Sequence, residues 1–152
     1  MERAETSLKE KTEQKNRIIL VSHGNLAQAV LENVEMLMGP QENMAAYGLN
    51  RDDSLEEFAQ VLRQEIQDHG KDHVLFFSDL MNGTPYNILV MLARDFPSLH
   101  HITGMNLALV IGAVTALSNH SGAPLDVICE RTLTYAEDSI QDVQLLLEAM
   151  GL

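Results

Sequence analysis

Cysteine occurs once, at position 129, in a chain of 152 residues. A single thiol excludes an internal disulfide and suits a reducing compartment, so the chain is expected in the cytoplasm. Basic residues are also scarce. Ten Lys and Arg stand against 22 Asp and Glu, a formal net charge of −12. Nucleic-acid binding needs clustered cations to displace counterions from phosphate, and no such cluster is present. A surplus of this sign instead favours encounter with a cationic protein surface. No apolar run reaches the length of a membrane-spanning helix. The opening MERAETSLKEKTEQKN alternates charges and lacks the apolar segment of a secretory signal. Residues 1–16 have little apolar surface to bury and are read as a polar extension, disordered or forming an exposed helix. No internal repeat and no second domain are visible, which leaves residues 17–152 as one domain of ordinary size.

What is present is an alternation of short apolar runs and helical patterns. The first run, Arg17 to Ser22, is followed by a helix from Leu26 to Met38 with Val30, Leu31, Val34, Leu37 and Met38 on one face. Gly39-Pro40 ends it. A weaker run covers Asn43 to Leu49. The next helix spans Asp53 to His69, with Ser54 and Glu57 at capping-box spacing, Leu55, Phe58, Ala59, Leu62 and Ile66 as its stripe, and Gly70 as its stop. The run HVLFFS, His73 to Ser78, is continuously apolar at its centre, as strands covered on both faces are. Asp79 to Thr84 reads as a loop. Pro85 suits the first turn of a helix running to Asp95. Leu99 to Thr103 is the fourth strand, and helices follow from Asn106 to Leu117 and from Pro124 to Met150. The order predicts an α/β fold: a doubly wound three-layer sandwich around a mainly parallel sheet.

In such sheets ligands bind beyond the carboxyl ends of the strands. Two of those loops carry chemistry-bearing residues: Ser22-His23-Gly24-Asn25 and SDLMNGTPYN, Ser78 to Asn87. If the first and third strands are neighbours, His23 and Asp79 meet at a switch point. A carboxylate on one imidazole nitrogen fixes the tautomer and stabilises the ring when it becomes cationic. The other nitrogen is then free to act as a nucleophile. Gly83 lets the backbone approach a ligand closely. Amides near Gly24 and those of Gly83 and Thr84 sit at helix starts and favour an anion, and the Thr84 hydroxyl can donate to a phosphoryl oxygen. A carboxylate inside an anion site is expected to strain the empty protein, so that its loss leaves stability unchanged or raised. The plainer alternative is that His23 caps a helix and Asp79 starts a turn.

The motifs in order, SHG at 22–24, LMGPQENM at 37–44, FSDLMNGTPYN at 77–87 and TGMN at 103–106, resemble the IIA component of the mannose family of the bacterial phosphoenolpyruvate-dependent sugar phosphotransferase system. The resemblance runs from Arg17 through the last helix. It implies that His23 takes a phosphoryl group from the phosphohistidine of HPr and passes it to a IIB component, which serves membrane IIC and IID subunits. It implies that Asp79 orients His23 and that Thr84 lies near the phosphoryl group, with no cofactor and no metal. It also implies a homodimer. Three features depart from the pattern: Asn82-Gly83 stands where many members have two glycines, MNLAL lacks a frequent proline, and the chain is expected to end after its last helix at Leu152, with no length for a fused IIB domain.

The remaining histidines invite a metal, but their placement argues against one. His69 and His73 flank a turn and are expected in solvent. His100 and His101 are adjacent in a strand and point to opposite faces. His120 lies in the polar loop SNHSG. Methionines such as Met36, Met38, Met91 and Met105 are read as core or interface filler. Glu56, Glu57, Glu137 and Asp138 are read as solvated helix faces, and Cys129 as a buried small hydrophobe beside Leu125 and Ile128. The competing function is a phosphorylation-dependent regulatory binding module of the same fold. A receiver domain carrying aspartyl phosphate is disfavoured, because the first strand ends in Ser-His rather than an acidic pair.

Overall fold

Ile18, Ile19, Leu20 and Val21 are fully buried. Four consecutive apolar residues are buried on both sides only in a strand with a layer on each face. They form the middle of β1, Arg17–His23. The computed structural model describes residues 15–152, so the N-terminal extension read from the sequence lies, but for two residues, outside the described ones. β1 is flanked by β2 (Met44–Leu49) and β3 (Val74–Ser78), with β4 (His100–Thr103) beyond β3. All pairings are parallel. The sheet order β2-β1-β3-β4 makes β1 and β3 neighbours, the condition on which the meeting of His23 and Asp79 rested.

Six α-helices are present among the described residues: α1 (Leu26–Met38), α2 (Leu55–His69), α3 (Thr84–Asp95), α4 (Leu107–Asn119), α5 (Leu125–Ala136) and α6 (Val143–Ala149). Alternation along the strands divides the core in two. Ile18, Leu20, Leu75 and Phe77 pack with α1, α4 and α5 through Val30, Val34, Val110, Ala113 and Ile128. Ile19, Val21 and Phe76 face α2 and α3 through Leu62, Ile66, Ile88, Leu89 and Leu92. The result is the doubly wound three-layer sandwich expected from the element order. Ser54 caps α2 by accepting from the Glu57 amide at 3.2 Å, and Gly70 closes it.

Several local expectations are corrected. The last helix is two helices. The Ser139 hydroxyl donates to the Ala136 carbonyl at 2.7 Å, and the Asp142 carboxylate accepts from the Gln144 and Leu145 amides, so one helix is closed and another opened within the span read as continuous. Leu37, Met38 and Leu55, assigned to buried stripes, are exposed. So are Met36 and Met91, whereas Met105 is buried. His73 and His69 are half-buried rather than solvated: Nδ1 of His73 lies 3.1 Å from Asn16 Oδ1, and Nε2 of His69 lies 3.5 Å from Glu65. Glu65 itself is buried and tied by a two-point contact to Arg17. Cys129 packs partly buried against the first core, and burial pushes its thiol pKa up to about 11.

Candidate functional site

Parallel pairing of β1 with β3 sets Val21 opposite Ser78, so His23 and Asp79 follow at the same end of the sheet. The two residues meet. Nδ1 of His23 lies 2.8 Å from Oδ2 of Asp79, and the same oxygen accepts the His23 backbone N–H at 2.9 Å. Oδ1 accepts the Leu80 N–H at 2.8 Å. Burial works to raise the Asp79 pKa, but the His23 backbone and ring bonds and the Leu80 amide outweigh it and hold the carboxyl below its usual range. An ionised Asp79 can only accept, so in the neutral ring Nδ1 carries the proton and Nε2 keeps its lone pair. The carboxylate side chain is 10% exposed and the imidazole 49%, so the anchor is covered while about half of the ring is open to solvent.

Three glycines build the seat of this histidine. Gly24 follows it at φ +54°, a left-handed conformation that glycine takes without penalty. Gly48 of β2 lies beneath it. A Cβ there would stand 1.8 Å from the Gly24 carbonyl oxygen, so the loop can lie down on β2 only over a bare Cα. Gly48 is not among the residues the sequence reading singles out; a glycine inside a strand is the signal that marks such close approach. Gly83 does a different job from the one its position suggests. Its φ is −72°, open to any residue. A Cβ would lie 2.8 Å from Cε1 and 3.5 Å from Nε2 of His23. Its missing side chain therefore makes room for the imidazole, and it sets the Nε2 edge against the start of α3.

Amide bookkeeping narrows the anion-binding groups. The Gly24 N–H is spent on the Leu49 carbonyl at 2.8 Å and the Gly83 N–H on the Leu80 carbonyl at 3.0 Å. Neither is available to an anion, contrary to the reading from sequence. Thr84 and Tyr86, in the first turn of α3, have amides with no backbone partner among the described residues. Asn82 replaces a flexible position by adopting φ +65° itself, and its carbonyl accepts the Asn87 side-chain amide at 3.2 Å. Asparagine tolerates that region better than most residues.

Among the described residues no group of three or more His, Cys, Asp or Glu is placed to hold a metal. His100 and His101 do diverge: the first lies 3.4 Å from Asp126 of α5, and the second faces Ser78 and Tyr86 on the other side.

A sequence model of the family described as "PTS system fructose IIA component" matches residues 17–126. The chain belongs to this family. It is a IIA component of the sugar phosphotransferase system, of the mannose type. It is 26% identical over 104 residues to the fructose-specific EIIA component of Bacillus subtilis, covering 68% of this chain and 70% of that one. It is 28% identical over 108 residues to the sorbose-specific EIIA component of Lacticaseibacillus casei, covering 71% and 78%. The crystal structure of the phosphotransferase system component EIIA from Streptococcus agalactiae superposes with a TM-score of 0.76 at 25% identity, over 85% of this chain and 98% of that one. The family match begins at the first residue of β1 and takes in both loops of the IIA site. No helix among the described residues of this IIA component is long and apolar enough to cross a membrane.

Proposed function

We propose that His23 is a phosphoryl carrier, taking its group from the phosphohistidine of HPr and passing it to a IIB component. The observation that carries this reading is the Nδ1–Asp79 contact of 2.8 Å on a ring that is half exposed. In the forward step the Nε2 lone pair attacks phosphorus. A new N–P bond forms as the donor's N–P bond breaks, and that electron pair returns to the donor imidazole. The His23 ring becomes cationic while Asp79 keeps its Nδ1 proton in place and offsets the charge. The reverse chemistry delivers the group to IIB. Phosphoryl transfer needs positioning and charge stabilisation rather than covalent help from the protein. The Thr84 and Tyr86 amides and the Thr84 hydroxyl, at the positive end of α3, supply that stabilisation for the transferring oxygens.

The family membership supports HPr as donor and IIB as acceptor, and the proposal extends to membrane IIC and IID subunits reached through IIB. The −12 net charge suits a partner with a basic face. A cytoplasmic location and a homodimer are part of the same proposal. Ile140, Val143, Leu145, Met150 and Leu152 are more than half exposed at the C-terminal end, a run of apolar surface that a second copy would cover. Incubating the protein with enzyme I, HPr and phosphoenolpyruvate tests the carrier role. Intact mass should rise by one phosphoryl group in the wild type and stay unchanged in His23→Gln. A fully phosphorylated His23→Gln protein contradicts the assignment.

A further inference from the structure

Beneath the site lies a second imidazole that the transfer chemistry does not use. The β3–β4 register sets His101 opposite Phe76 and Thr103 opposite Ser78, so His101 and Ser78 share the face covered by α3. Ser78 is fully buried. Its Oγ lies 2.7 Å from Nε2 of His101 and 2.9 Å from Oγ1 of Thr103. The Ser78 carbonyl also accepts the Met105 amide at 2.9 Å. On its other side His101 meets the Tyr86 ring, with centroids 5.3 Å apart and planes inclined by 50°. Ser78 is bonded directly to Asp79, and Tyr86 lies in the first turn of α3, two residues after Thr84. One half-buried ring thus touches both walls of the site: the strand end that carries the carboxylate and the helix start that faces Nε2.

A phenylalanine or leucine would fill this space without a polar atom to satisfy. A histidine here has a cost, because burial pushes its pKa down to about 4. Its recorded contacts are the Ser78 hydroxyl from β3, itself bonded to Thr103 of β4, and the Tyr86 ring from α3, none of them anionic at neutral pH, and His100 turns to the opposite face toward Asp126. A neutral imidazole held between a hydroxyl and an aromatic ring is therefore a fixed strut rather than a titrating group.

We propose that His101 is a positioning residue for phosphoryl transfer: by holding the Ser78 hydroxyl and packing on Tyr86, it fixes Asp79 and the start of α3 relative to the His23 ring. The proposal rests on the carrier reading of His23. Three variants separate positioning from bulk stability. His101→Phe keeps a ring against Tyr86 and removes the bond to Ser78. Ser78→Ala removes the same bond from the other side and leaves His101 in place. His101→Gln can restore a polar contact to Ser78.

Single-turnover transfer from phosphorylated HPr is measured over a range of donor concentrations. In parallel, nitrogen chemical shifts of the His23 imidazole are recorded in the unphosphorylated proteins. His101→Phe and Ser78→Ala should each lower the maximal rate about tenfold and leave the half-saturating donor concentration unchanged. The double variant should lose little more than either alone. The His23 nitrogen shifts should move away from the pure Nδ1–H tautomer in both, and His101→Gln should recover most of both signals. Transfer by the folded His101→Phe protein within about twofold of wild type overturns the proposal. So does a loss that His101→Gln shares equally. If His101→Phe does not fold, Ser78→Ala decides by the same criteria. If the wild type accepts no phosphoryl group, the carrier reading has failed, and the nitrogen shifts still show whether His101 positions His23.

Discussion

The imidazole of His23 leans on the bare Cα of Gly83, so closely that a Cβ there would stand 2.8 Å from Cε1. Gly83→Ala should therefore push the ring off its seat while the backbone, at φ −72°, accepts the residue. Overpacking of this kind costs about 1–3 kcal/mol where nothing can yield, but here the half-open ring can move and the stability loss should sit at the low end. Transfer should suffer more, by about a hundredfold, because misplacing a reacting atom by an ångström has that effect. Stopped-flow transfer kinetics and urea unfolding on the same preparation check this. An Ala variant that transfers normally means the ring has no fixed seat.

Asp79→Asn should slow transfer about a hundredfold or more, since an amide cannot stabilise the cationic ring formed on attack. The effect on stability runs opposite to the expectation from sequence. The sequence suggests a strained carboxylate, whereas Asp79 accepts three N–H bonds and its pKa is held down by them. A carboxyl with a depressed folded pKa stabilises the protein above the unfolded pKa, and that contribution is lost as pH falls through the folded value. The Asp79→Asn substitution should thus cost about 1 kcal/mol at neutral pH, and the difference from wild type should vanish in acid. Thermal melting from pH 7 down to pH 3 checks the sign.

The strands were legible because each rests on local pattern, and the His23–Asp79 pair was legible on the condition that β1 and β3 are neighbours, which the sheet order meets. Continuous apolar runs mark buried parallel strands, and a parallel neighbour pair brings two strand ends together whatever the loops do. Gly48 was not legible. Its role depends on which residue of β1's loop lies over it, and register between strands is not written locally. The same holds for the Ser78–His101 contact, which exists only because β4 pairs with β3 in one register. Amide accounting also escaped the sequence: Gly24 and Gly83 sit at helix starts, yet their N–H groups are consumed by Leu49 and Leu80. The break between α5 and α6 failed for a different reason. Asp142 and Ser139 are ordinary residues on a helix surface, and only their hydrogen bonds to nearby backbone groups turn them into a start and a stop.

His101 gives the stability curve a signature in mild acid. Its pKa is lowered from 6.5 to about 4 by burial. Between those values the unfolded chain binds a proton that the folded protein does not, so stability rises with pH across that window and falls as acid is added. The loss should be on the order of 3 kcal/mol between neutrality and pH 4. His101→Gln removes that group and should flatten this part of the curve, so that the variant gains on wild type as pH drops. Urea unfolding at pH 7, 6, 5 and 4 measures it. Parallel curves for the two proteins mean that His101 titrates as freely in the fold as in the unfolded chain.

In the proposed transfer the Nδ1–Asp79 contact commits the attack to a single atom, Nε2, and that atom can be identified. Protein labelled with nitrogen-15 in its histidines is phosphorylated by enzyme I, HPr and phosphoenolpyruvate, and the imidazole nitrogens are read by NMR with coupling to phosphorus. The account predicts one phosphoryl group per chain, bonded to Nε2 of His23, with the proton of Nδ1 retained. A phosphoryl group on Nδ1 of His23, or on any other histidine, would contradict it.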